Sequence, residues 1–116
     1  MSGFEIKLRN DSDVHVLEIK GELDAHTAPT LEDEITALID QGNHQIVVNF
    51  AGLNYISSAG LGVFMAYIEV VRDLGGDIKF SNMQPNIYNV CDLLGFPTLY
   101  DIVDEELEAI QKFNNQ

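Results

Sequence analysis

Cysteine, positive charge and histidine are scarce in this chain, and each shortage removes a class of function. A single cysteine, Cys91, rules out an internal disulfide and suits a reducing compartment. Six Lys and Arg face nineteen Asp and Glu, a net charge of −13 over 116 residues. The cations Lys7, Arg9, Lys20, Arg72, Lys79 and Lys112 are scattered, so the clustered basic footprint that binds phosphate backbones or anionic lipid is missing. Neither nucleic acid nor a membrane surface is therefore expected as a partner. The acidity favours solubility and steering toward a basic patch on another protein, although a merely solvated surface explains it equally well.

The histidines His15, His26 and His44 stand apart from one another and from Cys91, with none of the usual metal-ligand spacings. All three precede Ser57-Ser58-Ala59-Gly60, so the serine, acid, histidine order of an α/β-hydrolase cannot be built, and Ile56 occupies the place of the first glycine in Gly-x-Ser-x-Gly. No Gly-x-x-x-x-Gly-Lys-Ser/Thr occurs, and Gly60-Leu61-Gly62 lacks the third glycine of a dinucleotide fingerprint. No catalytic residue, metal or cofactor is expected. The longest apolar run, Ala59 to Ile68, is far short of the roughly 18 residues of a membrane span. Met1-Ser2-Gly3-Phe4-Glu5 has neither the basic start nor the apolar stretch of a secretory leader, and a cytoplasmic location is expected.

What the chain does have is a hydrophobic content of 46%, sufficient for one core, and one domain over residues 1–116 is expected. Phe4, Ile6 and Leu8 alternate with charged residues as in a half-buried strand, and Val14, Val16, Leu17 and Ile19 form a second strand after the turn Asn10-Asp11-Ser12-Asp13. Gly21 to His26 reads as a loop. Thr27 as N-cap and Pro29 in the first turn open a helix carrying Leu31, Ile35, Leu38 and Ile39 and closed by Gly42. Ile46 to Phe50 is a buried strand, Ala51 to Ile56 a connection, and Leu61, Met65, Ile68 and Val71 the stripe of a long helix ending at Gly75-Gly76. Ile78 and Phe80 suggest a short strand. Pro85 begins a helix with Ile87, Val90, Cys91 and Leu94 that stops at Gly95. Leu99 to Val103 is a last strand, and Asp104-Glu105-Glu106 starts a helix running through Phe113. The fold class is α/β: a mixed sheet of four to five strands, largely parallel, with about four helices packed against it.

Ser57-Ser58 therefore falls where a buried strand hands over to a helix. A helix N-terminus gathers unpaired N–H groups and favours negative charge, which makes it a suitable place to add a phosphate. The plainer reading of Ser58 is an N-cap, worth about 1 kcal/mol. Gly60 and Gly62 sit in the first turns, where each costs roughly 0.8–1.0 kcal/mol against alanine. Close approach of a partner's backbone would explain them, and so would tight packing on the chain's own sheet. Glu22 and Asp24 read as a polar turn, but two strand-to-helix connections at one sheet end would add their charge to the Ser58 face. Cys91 reads as a buried small hydrophobe and His26 as plain surface.

Gly21-Glu22-Leu23-Asp24-x-x-Thr27-Ala28, followed by a strand and Tyr55-Ile56-Ser57-Ser58-Ala59-Gly60-Leu61-Gly62, resembles the STAS domain family, and within it the free-standing bacterial anti-sigma factor antagonists. The likeness extends over nearly the whole chain, including Gly75-Gly76 and Leu94-Gly95-Phe96. It implies a monomer that, unphosphorylated, binds an anti-sigma factor serine kinase of the GHKL type and frees the sigma factor. It also implies that phosphorylation of one serine ends the binding and that a serine phosphatase restores it. Carried onto this chain, the acceptor is Ser58 with Ser57 as second choice, and the partner-binding residues are Glu22, Asp24, Thr27, Ser57, Ser58, Ala59, Gly60 and Gly62. Ser57 falls where some members carry Asp, and Ala59 where some carry a second Ser. The other use of such a module is as an interaction domain of a stressosome-like or lipid-transport complex.

Overall fold

The β-branched run Ile46-Val47-Val48 and the Phe50 behind it have no polar face, so this strand can only sit in the middle of a sheet covered on both sides. The computed structural model, which describes residues 3–114, places it there. The chain start at Met1 and Ser2, read for a leader, and the end of the expected 1–116 domain lie outside the described residues. Five strands form one sheet in the order β1-β2-β3-β4-β5: Phe4–Asp11, Val14–Leu23, Gln45–Ile56, Asp77–Ser81 and Ile102–Val103. The pair β1–β2 is an antiparallel hairpin, and every later pairing is parallel. The α/β class and mixed, largely parallel sheet are as the sequence implies.

Four helices cover one face: α1 (Ala28–Asp40), α2 (Ser58–Asp73), α3 (Pro85–Leu93) and the single turn α4 (Phe96–Leu99). Their apolar stripes meet Leu17, Ile19, Ile46, Val48, Phe50, Ile78 and Phe80 of the sheet. Phe50, Phe64, Phe80, Phe96 and Tyr100 form a chain of tilted and stacked rings through this core, with centroids 4.7–6.4 Å apart. The last helix, α5 (Glu106–Asn114), crosses to the other face and lays Ala109, Ile110 and Phe113 on Val14, Val16 and Val47. Alternate residues of β2 and β3 thus serve two cores.

Several elements differ from the sequence reading. Residues 21–23 are strand rather than loop, because Gly21 continues the ladder at φ +99° beside a bulge. A Cβ there would lie 1.2 Å from the Gly3 carbonyl oxygen, so only glycine allows the hairpin to close. Ala51 to Ile56 is likewise strand, paired to β2 by Lys20↔Gly52, Gly21↔Leu53, Glu22↔Tyr55 and Leu23↔Ile56. Its glycine and asparagine hid ladder hydrogen bonds that depend on a neighbour distant in sequence. Of the expected last strand only Ile102–Val103 is strand, because Phe96–Leu99 winds into α4. Met65 and Leu94, assigned to apolar stripes, are exposed, while Phe64 turns fully inward.

Candidate functional site

Two strand ends meet at the carboxyl edge of the sheet. Leu23, the last residue of β2, pairs with Ile56, the last of β3, and its carbonyl accepts from the Ser57 N–H at 2.9 Å. The turn 24–27 and the start of α2 are thereby fixed side by side, as the arrangement of two strand-to-helix connections requires.

The turn is held by its own side chains. Thr27 stands at the N-cap of α1, yet its hydroxyl makes no capping bond. It instead donates to the Glu22 carbonyl at 2.9 Å and accepts from the Asp24 N–H at 2.9 Å. Asp24 Oδ1 accepts from the N–H groups of His26 and Thr27 at 2.9 and 3.2 Å, closing an Asx-type turn. Desolvation pushes the Asp24 carboxyl up, but the His26 and Thr27 N–H groups and the Thr27 hydroxyl hold it below the usual carboxylate range. Thr27 is buried, so it serves a surface only through the Glu22 and Asp24 backbone it positions. Glu22 and His26 are exposed.

At the other side of the mouth, Ser57 rather than Ser58 occupies the N-cap of α2, with φ −102° and ψ 172°. The expected capping role of Ser58 is corrected accordingly: Ser58 is the first helical residue, one place past the cap. Ser57 makes no capping bond either, and its hydroxyl is buried without a partner among the described residues. Ser58 and Ala59 are exposed. No hydrogen bond ties Ser58 to a histidine or carboxylate among the described residues.

The two glycines part company. A Cβ on Gly60 would come within 2.6 Å of Leu23 Cγ and 3.3 Å of Ile56 Cγ1, so Gly60 is buried glycine that lets α2 sit against the two strand ends. A Cβ on Gly62 would meet nothing within 4 Å. Packing within this chain therefore explains Gly60 and leaves Gly62 without a steric reason.

Tyr55 completes the surface and was assigned no role from sequence. It is paired in register with Glu22 and is 51% exposed, an aromatic ring beside an acid at the rim of the mouth. Asn86 steadies the same edge by donating its Nδ2–H to the Asn54 carbonyl at 3.0 Å. The sequence signal for Tyr55 was its place inside the Tyr55-Ile56-Ser57-Ser58 motif.

Elsewhere, Cys91 is buried, and desolvation pushes its thiol up to about 11, which leaves it inert as a nucleophile. No group of three or more His, Cys, Asp or Glu able to hold a metal occurs among the described residues. No helix among them is long and apolar enough to cross a membrane.

Comparison with known proteins gives the chain's relatives and its fold. The chain is 31% identical over 103 residues to an anti-sigma-B factor antagonist of Bacillus subtilis, covering 89% of this chain and 93% of that protein. Its fold is similar to that of the unphosphorylated anti-sigma factor antagonist SpoIIAA, with a TM-score of 0.76 and 24% identity over 97% of this chain and 99% of that one. It also resembles the phosphorylated form of the Bacillus cell fate determinant SpoIIAA, with a TM-score of 0.73 and 24% identity over 95% and 98% of the two chains. The family model of the STAS domain matches residues 5–109, and the chain belongs to the STAS domain family.

Proposed function

We propose that this chain is an anti-sigma factor antagonist switched by phosphorylation of Ser58. The observation that carries the reading is the pairing of an exposed Ser58 hydroxyl at the first turn of α2 with an exposed Glu22 and an ionised Asp24 on the adjoining turn. The burial of the Ser57 hydroxyl favours Ser58 as the acceptor. Unphosphorylated, the surface docks on an anti-sigma factor that is also a serine kinase, and the sigma factor is released. The kinase supplies the base, Ser58 Oγ attacks the γ-phosphorus of ATP, and ADP leaves. A serine phosphatase hydrolyses the ester and returns the hydroxyl.

A phosphoserine carries about −1.5 to −2 charge at pH 7. At a helix N-terminus that charge is locally tolerated, so the fold persists. Docked, it has to be desolvated next to Glu22 and Asp24, which costs several kcal/mol. Each 1.4 kcal/mol is about tenfold in affinity, so binding is lost with no refolding. The switch is one of surface charge.

Incubation with the cognate kinase and ATP, read by peptide mass spectrometry, is expected to place one phosphate on Ser58. Ser57→Ala keeps that modification and Ser58→Ala loses it. Ser58→Ala still binds the kinase, whereas Ser58→Asp binds at least about tenfold more weakly. A phosphate on another residue, or a Ser58→Asp chain that binds like the wild type, overturns the assignment.

A further inference from the structure

The exposed side of α2 does not end at its mouth. Ser58, Gly62, Met65, Glu69 and Arg72 follow one another at intervals of four and three, all of them exposed, and so form one continuous stripe down the helix. Met65 lies about 10 Å from Ser58 along the axis at 1.5 Å per residue. There the stripe runs into a groove of about 330 Å³ lined by Met65, Ile68, Glu69, Arg72, Leu99 and Tyr100.

The groove is apolar and open. Met65 is 56% and Leu99 51% exposed, and both line the groove, so two large apolar side chains are open to solvent at one place. One wall is pre-organised. The Arg72 guanidinium donates to Asp77 Oδ1 at 2.9 Å and to the Leu99 carbonyl, and stands 5.9 Å from the centre of the Tyr100 ring. Tyr100 is 3% exposed, and its hydroxyl is buried with no hydrogen-bond partner among the described residues. The ring of Tyr100 thus closes the floor of a mostly apolar cleft, the kind of surface that takes an apolar side chain.

Charge selects the occupant. Helices α1 to α4 carry seven Asp and Glu against one basic residue, Arg72, and that residue is already bound to Asp77. The lysines without an ion pair among the described residues, Lys7, Lys20 and Lys112, lie on β1, β2 and α5. A second copy of this chain would bring the same acidic layer against itself, so self-association through this face is disfavoured.

We infer that the groove is a second anchor for the partner that meets Ser58, taking one large apolar side chain from a basic segment of that protein. This rests on the reading of Ser58 given above. The mouth then provides the switch, and the groove provides binding that phosphorylation leaves untouched. A hydrophobic anchor inside an electrostatically steered interface is the usual division of labour between affinity and encounter rate.

The test measures binding of the purified anti-sigma factor kinase to the full chain by calorimetry at low and raised salt. Leu99→Arg and Met65→Arg are each expected to weaken binding about tenfold or more, while Leu8→Arg, at an exposed leucine on β1, leaves it unchanged. Raised salt is expected to weaken binding of the wild type. Circular dichroism reports whether each variant folds, and if an arginine variant does not, Leu99→Ala carries the test with a loss of about threefold or more. If Leu99→Arg binds like the wild type while Ser58→Asp does not, the groove is overturned and the Ser58 reading stands. If neither variant weakens binding, the Ser58 reading itself fails. Binding that ignores salt overturns the basic segment, and a wild-type dimer that Leu99→Arg converts to monomer makes a second copy the occupant and overturns the proposal.

Discussion

Behind the sheet, charged side chains are consumed by one another, whereas at the mouth of α2 they are left facing water. Arg9 on β1 donates to Glu18 and, through both terminal nitrogens, to Glu106 of α5 at 3.1 and 2.6 Å. Asn49 adds a further hydrogen bond to Glu106 at 2.9 Å. Lys79, 2% exposed, holds Asp77 at 3.0 Å and Asp101 at 2.7 Å and lies 4.7 Å from the Phe113 ring centre. At the mouth, Glu22 has no ion pair among the described residues, and Asp24 is satisfied by N–H groups instead of a cation. The same residue types therefore pin α5 in one place and advertise charge in the other. Changes to the charged side chains behind the sheet should alter stability and spare binding; changes to the polar side chains at the mouth should do the reverse, while the glycines there report packing.

Lys79→Ala is the most severe way to break the rear half of that contrast. It leaves Asp77 and Asp101 without their shared cation under α5 and is expected to cost about 3 kcal/mol in urea unfolding. Kinase binding by the folded fraction should not change. A binding defect larger than the stability loss explains would blur the division between the two regions.

The two mouth glycines sharpen it next. Gly60→Ala forces a methyl against Leu23 and Ile56 and is expected to cost about 2 kcal/mol. Gly62→Ala enters open space and should gain about 0.5–1 kcal/mol from helix propensity. Denaturant midpoints of the two variants moving in the same direction would contradict the geometry.

Acid provides the gentlest probe. For Asp101 the Lys79 hydrogen bond, and for Glu106 the Arg9 hydrogen bond, outweigh desolvation and hold each carboxyl below its ordinary value. A carboxyl depressed in the folded state stabilises above its unfolded pKa, and that contribution is lost as pH falls through the lower folded value. Lys79 works in the opposite sense. Burial pulls it down, the hydrogen bonds it donates to Asp101 and Asp77 more than restore it, and its contribution is lost only as pH rises past its raised value, above 10.5. Melting temperature should therefore drop below about pH 4, the ordinary carboxylate range, and Asp101→Asn with Glu106→Gln should flatten that slope. An unchanged slope in the double variant would assign the acid sensitivity to other groups.

Periodicity carried much of the fold. The alternation of Phe4, Ile6 and Leu8, the apolar block at residues 46–48, and the glycines after α2 and α3 report local requirements of strand, buried strand and helix end. Where the reading slipped, the deciding partner was remote. Ala51 to Ile56 is strand because β2 lies alongside it, and Phe64 replaces Met65 in the core because the ring chain of Phe50 and Phe80 waits there. Helix α4 is one turn, too short for a periodic signal. At the mouth, the motif segments do lie side by side at one sheet end, but which serine caps and which faces outward depended on one residue of phase.

Composition and pattern by themselves determined an acidic α/β chain with a mixed sheet, a hydroxyl-bearing helix start and no phosphate-binding charge cluster, because these follow from near-neighbour spacing and net charge. Only tertiary structure decided that Leu23 and Ile56 end together, that Ser57 turns inward while Ser58 stays in solvent, and that α2 continues into a groove beside Tyr100. Those outcomes depend on strand register and on which side chains remain uncovered once two cores have closed, and no local pattern encodes either.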